Sequence, residues 1–160
     1  MSTRNLTMVV DRSEAENNDL GFACNPDVVS DKSYVNMYLH HDGYPEFQGV
    51  QLARWIKYMQ EDKGFNRFGD GSRIASHLVH DFHYNSQYLY PNVNSIDHQY
   101  TYIIWVGKSD VWITCWNQYT NNCIFVNKSE DVNRKWTHGN YKDSYTDWNE
   151  KYKLNTKQYG

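Results

Sequence analysis

Leu6, Met8 and Val10 recur every second residue in a β-prone run, which predicts a first strand over Leu6–Val10. A second strand is expected over Tyr34–His40, where Val35, Met37 and Leu39 alternate with Tyr34, Asn36, Tyr38 and His40. The period then changes from two to about 3.6. Gly49, Leu52, Ala53, Ile56 and Met59 make one stripe of a helix running from about Glu46 to Gln60, with Gly49 placed where the helix backbone nears a sheet. Ile74, Ala75, Leu78, Val79 and Phe82 make the stripe of a second helix over about Arg73–Tyr84. Three further strands, Tyr100–Val106, Val111–Trp116 and Cys123–Val126, are joined by hairpins at Gly107–Asp110 and Asn117–Asn122.

Punctuation between the elements is explicit. His41-Asp42-Gly43-Tyr44-Pro45 is turn chemistry, with Asp-Gly tolerant of positive φ and Pro45 suited to a helix start. Ser72 or Asp70 is placed to cap the second helix, and Pro91 stops a short extended piece at Tyr88–Tyr90. The polar stretch Asp11–Asp31 reads as a long excursion. The order β-β-α-α-β-β-β predicts an α+β domain: an antiparallel sheet of about five strands with two helices packed on one face. Its packed face is expected to hold Leu6, Met8, Leu52, Ile56, Ile74, Leu78, Phe82 and Ile104. One domain covers residues 1–127, and 128–160 forms an aromatic-rich C-terminal extension that packs on the domain or on a partner.

Composition narrows the classes. A formal charge of −3, from 16 basic and 19 acidic residues, provides no broad cationic footprint for duplex DNA. No segment approaches the ~20 apolar residues of a membrane span, and the start MSTRNLTMVVD lacks a secretory layout, so a cytoplasmic protein is expected. Cys24, Cys115 and Cys123 are odd in number and lack CxxC spacing, which suits a reducing compartment and ordinary apolar or half-buried thiols. Fourteen Tyr, six Trp and six Phe make 16% of the chain aromatic; strand and core packing is the leading reading of any one of these rings, and an interface or a base-stacking platform is the other.

The candidate chemistry is dispersed. Asp42 and Tyr44, with His40 and His41 beside them, stand at a strand-to-helix junction suited to an anion or a metal, although the two histidines point oppositely unless the strand bends. The Gly69–Ser72 loop, flanked by Arg67 and Arg73, offers backbone N–H groups to a phosphate but lacks a Walker lysine, and Tyr88 offers a ring for a base. His77, His80 and Asp81 share a helix face by three- and four-residue offsets, a geometry for zinc or nickel with Asp97 and His98 as further ligands. No small-residue elbow frames Ser72, Ser76 or Cys115 as a nucleophile, so no catalytic residue and no cofactor is assigned.

The segments S-T-R-N-L-T, Y-V-N-M-Y-L-H-H-D-G-Y-P, G-V-Q-L-A, Ile74–Val79, Tyr88–Pro91 and Tyr100–Tyr102 occur in an order that resembles a family of small uncharacterised phage and bacterial proteins. Members typically begin M-G-T-R-S-L-T and carry D-G-Y-P-x-G-H-G before the helix, and the likeness spans roughly residues 1 to 106. Here Ser2 replaces that glycine and Phe47-Gln48-Gly49 replaces the G-H-G step. The resemblance carries no activity and implies a phage accessory protein. The leading expectation is non-enzymatic binding to a host protein, with inhibition of a host defence system as its consequence. The alternatives are a nucleotide or single-stranded nucleic-acid binder and, behind it, a metal-dependent hydrolase; homo-oligomerisation is open.

Overall fold

The computed structural model describes residues 3–12, 24–61, 70–83, 86–107 and 110–136. Arg67, Tyr84 and residues 137–160, the larger part of the expected 128–160 extension, lie outside the described residues. The strands are β1 (Asn5–Asp11), β2 (Asn36–Leu39), β3 (Tyr88–Leu89), β4 (Tyr100–Val106), β5 (Val111–Asn117) and β6 (Asn122–Lys128). The helices are α1 (Val50–Glu61), α2 (Gly71–Asp81) and α3 (Ser129–Trp136).

The α+β class is as expected, but the sheet is mixed and six-stranded, in the order β3-β2-β1-β4-β5-β6. β1 pairs antiparallel with β2, Leu6 opposite Tyr38, and parallel with β4, Thr7 opposite Tyr102. The purely antiparallel, five-strand expectation fails for two reasons. Tyr88–Leu89 pairs with β2 as a sixth strand, and β4 enters beside β1 rather than beside its sequence neighbour β3. A parallel pair requires a crossover, which the β2-α1-α2-β3 stretch supplies.

Both faces of the sheet are covered, which is why β1 is buried at six successive positions. Under the helices lie Val9, Met37, Leu39, Tyr102, Ile104, Ile113 and Cys115, packed against Leu52, Trp55, Ile56, Met59, Ile74, Leu78 and Phe82. Gly49 faces the rings of Tyr102 and Phe125, where an added Cβ would lie 3.5 and 3.6 Å away in ordinary van der Waals contact, so the helix start lies against the sheet without an unusually close approach. Val132 of α3 joins this same core. Leu6 and Met8 are buried but belong to the opposite face, with Val10, Val29, Val93, Ile103 and Trp105. Among the described residues the cover there comes from two 3₁₀ turns, Pro26–Val28 and Ser30–Lys32, which bring Val29 onto the sheet, and from the loop before β4, which brings Val93.

The first helix begins with a π-helical turn, Pro45–Gly49, before continuing as α1. Proline at its first position needs no N–H partner, and the Tyr44 carbonyl accepts from both Phe47 N (3.0 Å) and Gln48 N (2.9 Å). Asp70 caps α2, accepting from Ser72 Oγ at 2.8 Å and Arg73 N at 3.3 Å. Those bonds, the Ser72 hydroxyl foremost, hold the Asp70 carboxyl below its ordinary range.

The cysteines depart from expectation. Cys24 and Cys123 form a disulfide with Cα atoms 5.7 Å apart, across 99 residues of sequence, while Cys115 is a buried thiol. Spacing along the chain could not reveal a pair that only the sheet brings together.

Candidate functional site

Four aromatic side chains converge where β2 meets β3. The register sets Tyr38 opposite both Leu6 and Tyr88, so these side chains share the face away from the helices. The Tyr38 ring lies 5.7 Å from Tyr90, edge to face, 6.1 Å from Tyr88 and 6.2 Å from His40, and Tyr88 lies 6.4 Å from Tyr90. His40 and His41 meet edge to face at 4.7 Å, because the strand ends at Leu39 and the chain bends there. Burial raises the Tyr38 pKa and Arg4 opposes the rise, and the hydroxyl is hydrogen-bonded to His40 Nδ1 at 2.9 Å. That bond sets the imidazole's orientation.

The outer edge of this cluster faces solvent. β3 ends the sheet's strand order and pairs with β2, and the Tyr90 N–H extends that pairing to the Asn36 carbonyl at 3.0 Å. Tyr88 is 57% exposed and Leu89, on the opposite face, 55%. Tyr88 was anticipated from sequence. Tyr38 and Tyr90 were not, although the alternation of Tyr34, Asn36, Tyr38 and His40 against the aliphatic face already set Tyr38 apart.

On the same face Tyr38 feels Arg4, Asp97 and Tyr119. Asp97 accepts from the Tyr119 hydroxyl at 3.3 Å and lies 3.9 Å from the Arg4 guanidinium. A shallow groove of about 380 Å³ opens here, lined by residues of the 93–98 loop with Gln118 and Tyr119. Its size is at the lower end for small-ligand pockets, ~300–1,000 Å³, and its lining is mostly polar. His98 forms its inner wall. Buried, with its pKa lowered by desolvation, His98 donates from Nδ1 to the Ile96 carbonyl (3.0 Å) and accepts from Thr101 Oγ1 at Nε2 (2.7 Å). Both ring nitrogens are thus used in holding the loop.

The face expected to hold a metal is built differently. Asp81 is 3% exposed, and its Oδ2 accepts from the buried Trp55 indole N–H at 2.9 Å while Oδ1 meets His80 Nδ1 at 2.9 Å. His77 is half-buried and His80 exposed. Among the described residues no three His, Cys, Asp or Glu side chains are gathered in a metal-holding group. At the start of α2 the backbone donors are taken up by carboxylates: Asp11 Oδ1 accepts from Gly71 N at 2.9 Å, and Asp70 accepts from Arg73 N. Asp11 also accepts from the Tyr34 hydroxyl at 2.5 Å. A phosphate at this helix end would meet two negative charges, and Arg73 stands exposed beside it.

Around Asp42, several short motifs meet. Asp42 is exposed at φ 54°, and Gly43 donates to the Thr3 carbonyl (2.8 Å) and accepts from the buried Tyr102 hydroxyl (2.6 Å). Burial pushes the Tyr102 pKa well up, so it remains a donor. Gly43 also lies against Asn5, which donates to the Leu39 carbonyl at 3.3 Å. Tyr44 is half-buried, its ring 6.2 Å from Phe47. The turn is a structural joint between β1, β4 and the π-helical turn. Asp42 and Tyr44 thus sit at its rim, while Tyr88 sits in the ring cluster beyond His40. No protein-family model, curated protein or solved structure matches this chain.

Proposed function

We propose that this protein acts by non-enzymatic binding of a partner protein at the aromatic edge formed by β2 and β3. The observation that carries the reading is the pair Tyr88 and Leu89: large apolar side chains, each more than half exposed, on the last strand of the sheet. β3 is an edge strand among the described residues, an edge strand is a template for a further strand, and tyrosine is over-represented among the residues that dominate interface energy. Tyr38, Tyr90 and His40 pack behind Tyr88, so the surface is ordered before the partner arrives and little side-chain entropy is lost on binding. The resemblance to small phage and bacterial proteins extends the proposal to a host factor as partner, with interference in a host defence system as the consequence. A stacking site for a nucleotide would use the same rings. Asp97 engages Arg4 there and Asp42 adjoins His41, which leaves the site poorly suited to phosphate.

A photo-crosslinking residue introduced at Leu89, with a second protein carrying it at the exposed Val28, tests the proposal in cells that make the protein. The expected result is a discrete adduct with one protein from position 89 and none from position 28. Adducts only with a second copy of the chain would replace the partner by self-association. No adduct, together with a raised melting temperature on adding nucleotides, would overturn the proposal in favour of a small ligand.

A further inference from the structure

The cover over the Leu6, Met8, Val10 and Trp105 face is fastened at both ends by different chemistry. At its C-terminal end Ser33 Oγ donates to the Val35 carbonyl (2.6 Å) and accepts from Val9 N (3.2 Å), and Tyr34 N donates to the Val9 carbonyl (2.9 Å). In its middle Val29 is fully buried in the sheet's second core. At its N-terminal end the tie is covalent: Cys24 is bonded to Cys123 of β6, the strand at the far end of the sheet. Cys123 is exposed and Cys24 half-buried, and the bridge stands at the register irregularity between Cys115 and Trp116, where Trp116 pairs with Cys123 and Cys115 with Phe125.

We infer that Cys24–Cys123 is a reversible thiol–disulfide exchange site whose state sets how firmly the segment 25–33 is clamped on the sheet. The ligand class is a dithiol reductant or its disulfide. A dithiol thiolate attacks the sulfur of the exposed residue Cys123, the Cys24–Cys123 bond breaks, and Cys24 leaves as a thiolate that takes up a proton. The reductant's second thiolate then displaces Cys123, leaving the reductant as an internal disulfide and both protein cysteines as thiols. Reaction with a small disulfide runs the sequence backwards. Cys115 is spared because it is fully buried and its thiol pKa is pushed well up by that burial, which withholds the reactive thiolate. The bridge closes a loop of 99 residues, so its loss releases the segment's N-terminal end while the Ser33 and Tyr34 bonds persist. This inference is independent of the aromatic edge.

Hydrogen exchange followed by mass spectrometry, on the whole chain with and without dithiothreitol, tests it without any substitution. Reduction should speed exchange in residues 25–33 by about tenfold or more, at labelling times before the β4 amides exchange in either redox state. Reoxidation with glutathione disulfide should restore protection, with the thiols titrated in denaturant falling from three groups to one. The Cys24→Ser protein should exchange like the reduced form whether or not dithiothreitol is present. Equal exchange of residues 25–33 in both redox states of the wild-type chain, or three titratable thiols after equilibration with glutathione disulfide, would overturn the inference.

Discussion

Replacing Asp81 with alanine separates a structural carboxylate from a metal ligand. In the folded protein Asp81 Oδ2 accepts from the indole N–H of Trp55, which is fully buried, at 2.9 Å. Alanine leaves that N–H without an acceptor, a loss of ~1–3 kcal/mol. Removing a negative charge from the last residue of α2 returns ~0.3–1 kcal/mol, because carboxylates are disfavoured at helix C-termini, and the loss of the His80 contact partly cancels that gain. The net expectation is a destabilisation of about 2 kcal/mol, or a fall in melting temperature of about 4–8 °C for a domain of this size. Asp81→Asn keeps an oxygen for the indole and should cost under about 1 kcal/mol. Urea denaturation of the three proteins, each with and without a chelator, reads both roles together. If Asp81→Ala were as stable as wild type, or if the chelator alone lowered wild type to the level of the variant, the structural assignment would be wrong.

Further predictions concern the turn and the loop. Gly43→Ala would place a Cβ 2.6 Å from Asn5 Cβ and 2.7 Å from the Thr3 carbonyl oxygen, so the variant should lose about 2–3 kcal/mol in urea denaturation; a change below about 0.5 kcal/mol would show that the joint yields freely. His98 has a folded pKa below its ordinary 6.5, so the unfolded chain takes up a proton first. Stability should therefore be unaffected by this group well above 6.5, fall as pH drops from there through the folded pKa, and level off below it. Denaturation midpoints across that window should decline less steeply in His98→Gln; identical slopes would remove His98 as the titrating group.

How much was visible beforehand depended on how local each cause was. The helices α1 and α2 were legible because their stripes repeat within a few residues, and β1, β2, β4 and β5 because alternation and hairpin turns are equally local. The parallel β1–β4 pair was not, since nothing in either strand encodes which neighbour it takes or in which direction. Two helices implied one covered face, yet Leu6 and Met8 pack on the other with Val29 and Val93, which read as loop residues. The offsets group Asp81 with His77 and His80 on one helix face, and its burial becomes intelligible only with Trp55 beside it, 26 residues away. Tyr88 was singled out as a lone ring; its partner Tyr38 is set by the β2–β3 register. The Cys24–Cys123 bridge depends on the whole sheet being in place.

The affinity of the protein captured through position 89, purified and titrated against wild type and a Tyr88→Ser, Leu89→Ser double variant, tests the central claim most directly. The account predicts binding weakened at least about tenfold, ~1.4 kcal/mol, in the double variant, with an unchanged melting temperature and with Val28→Ser binding like wild type. Equal affinity for wild type and the double variant would contradict it and move the functional surface away from the β2–β3 edge.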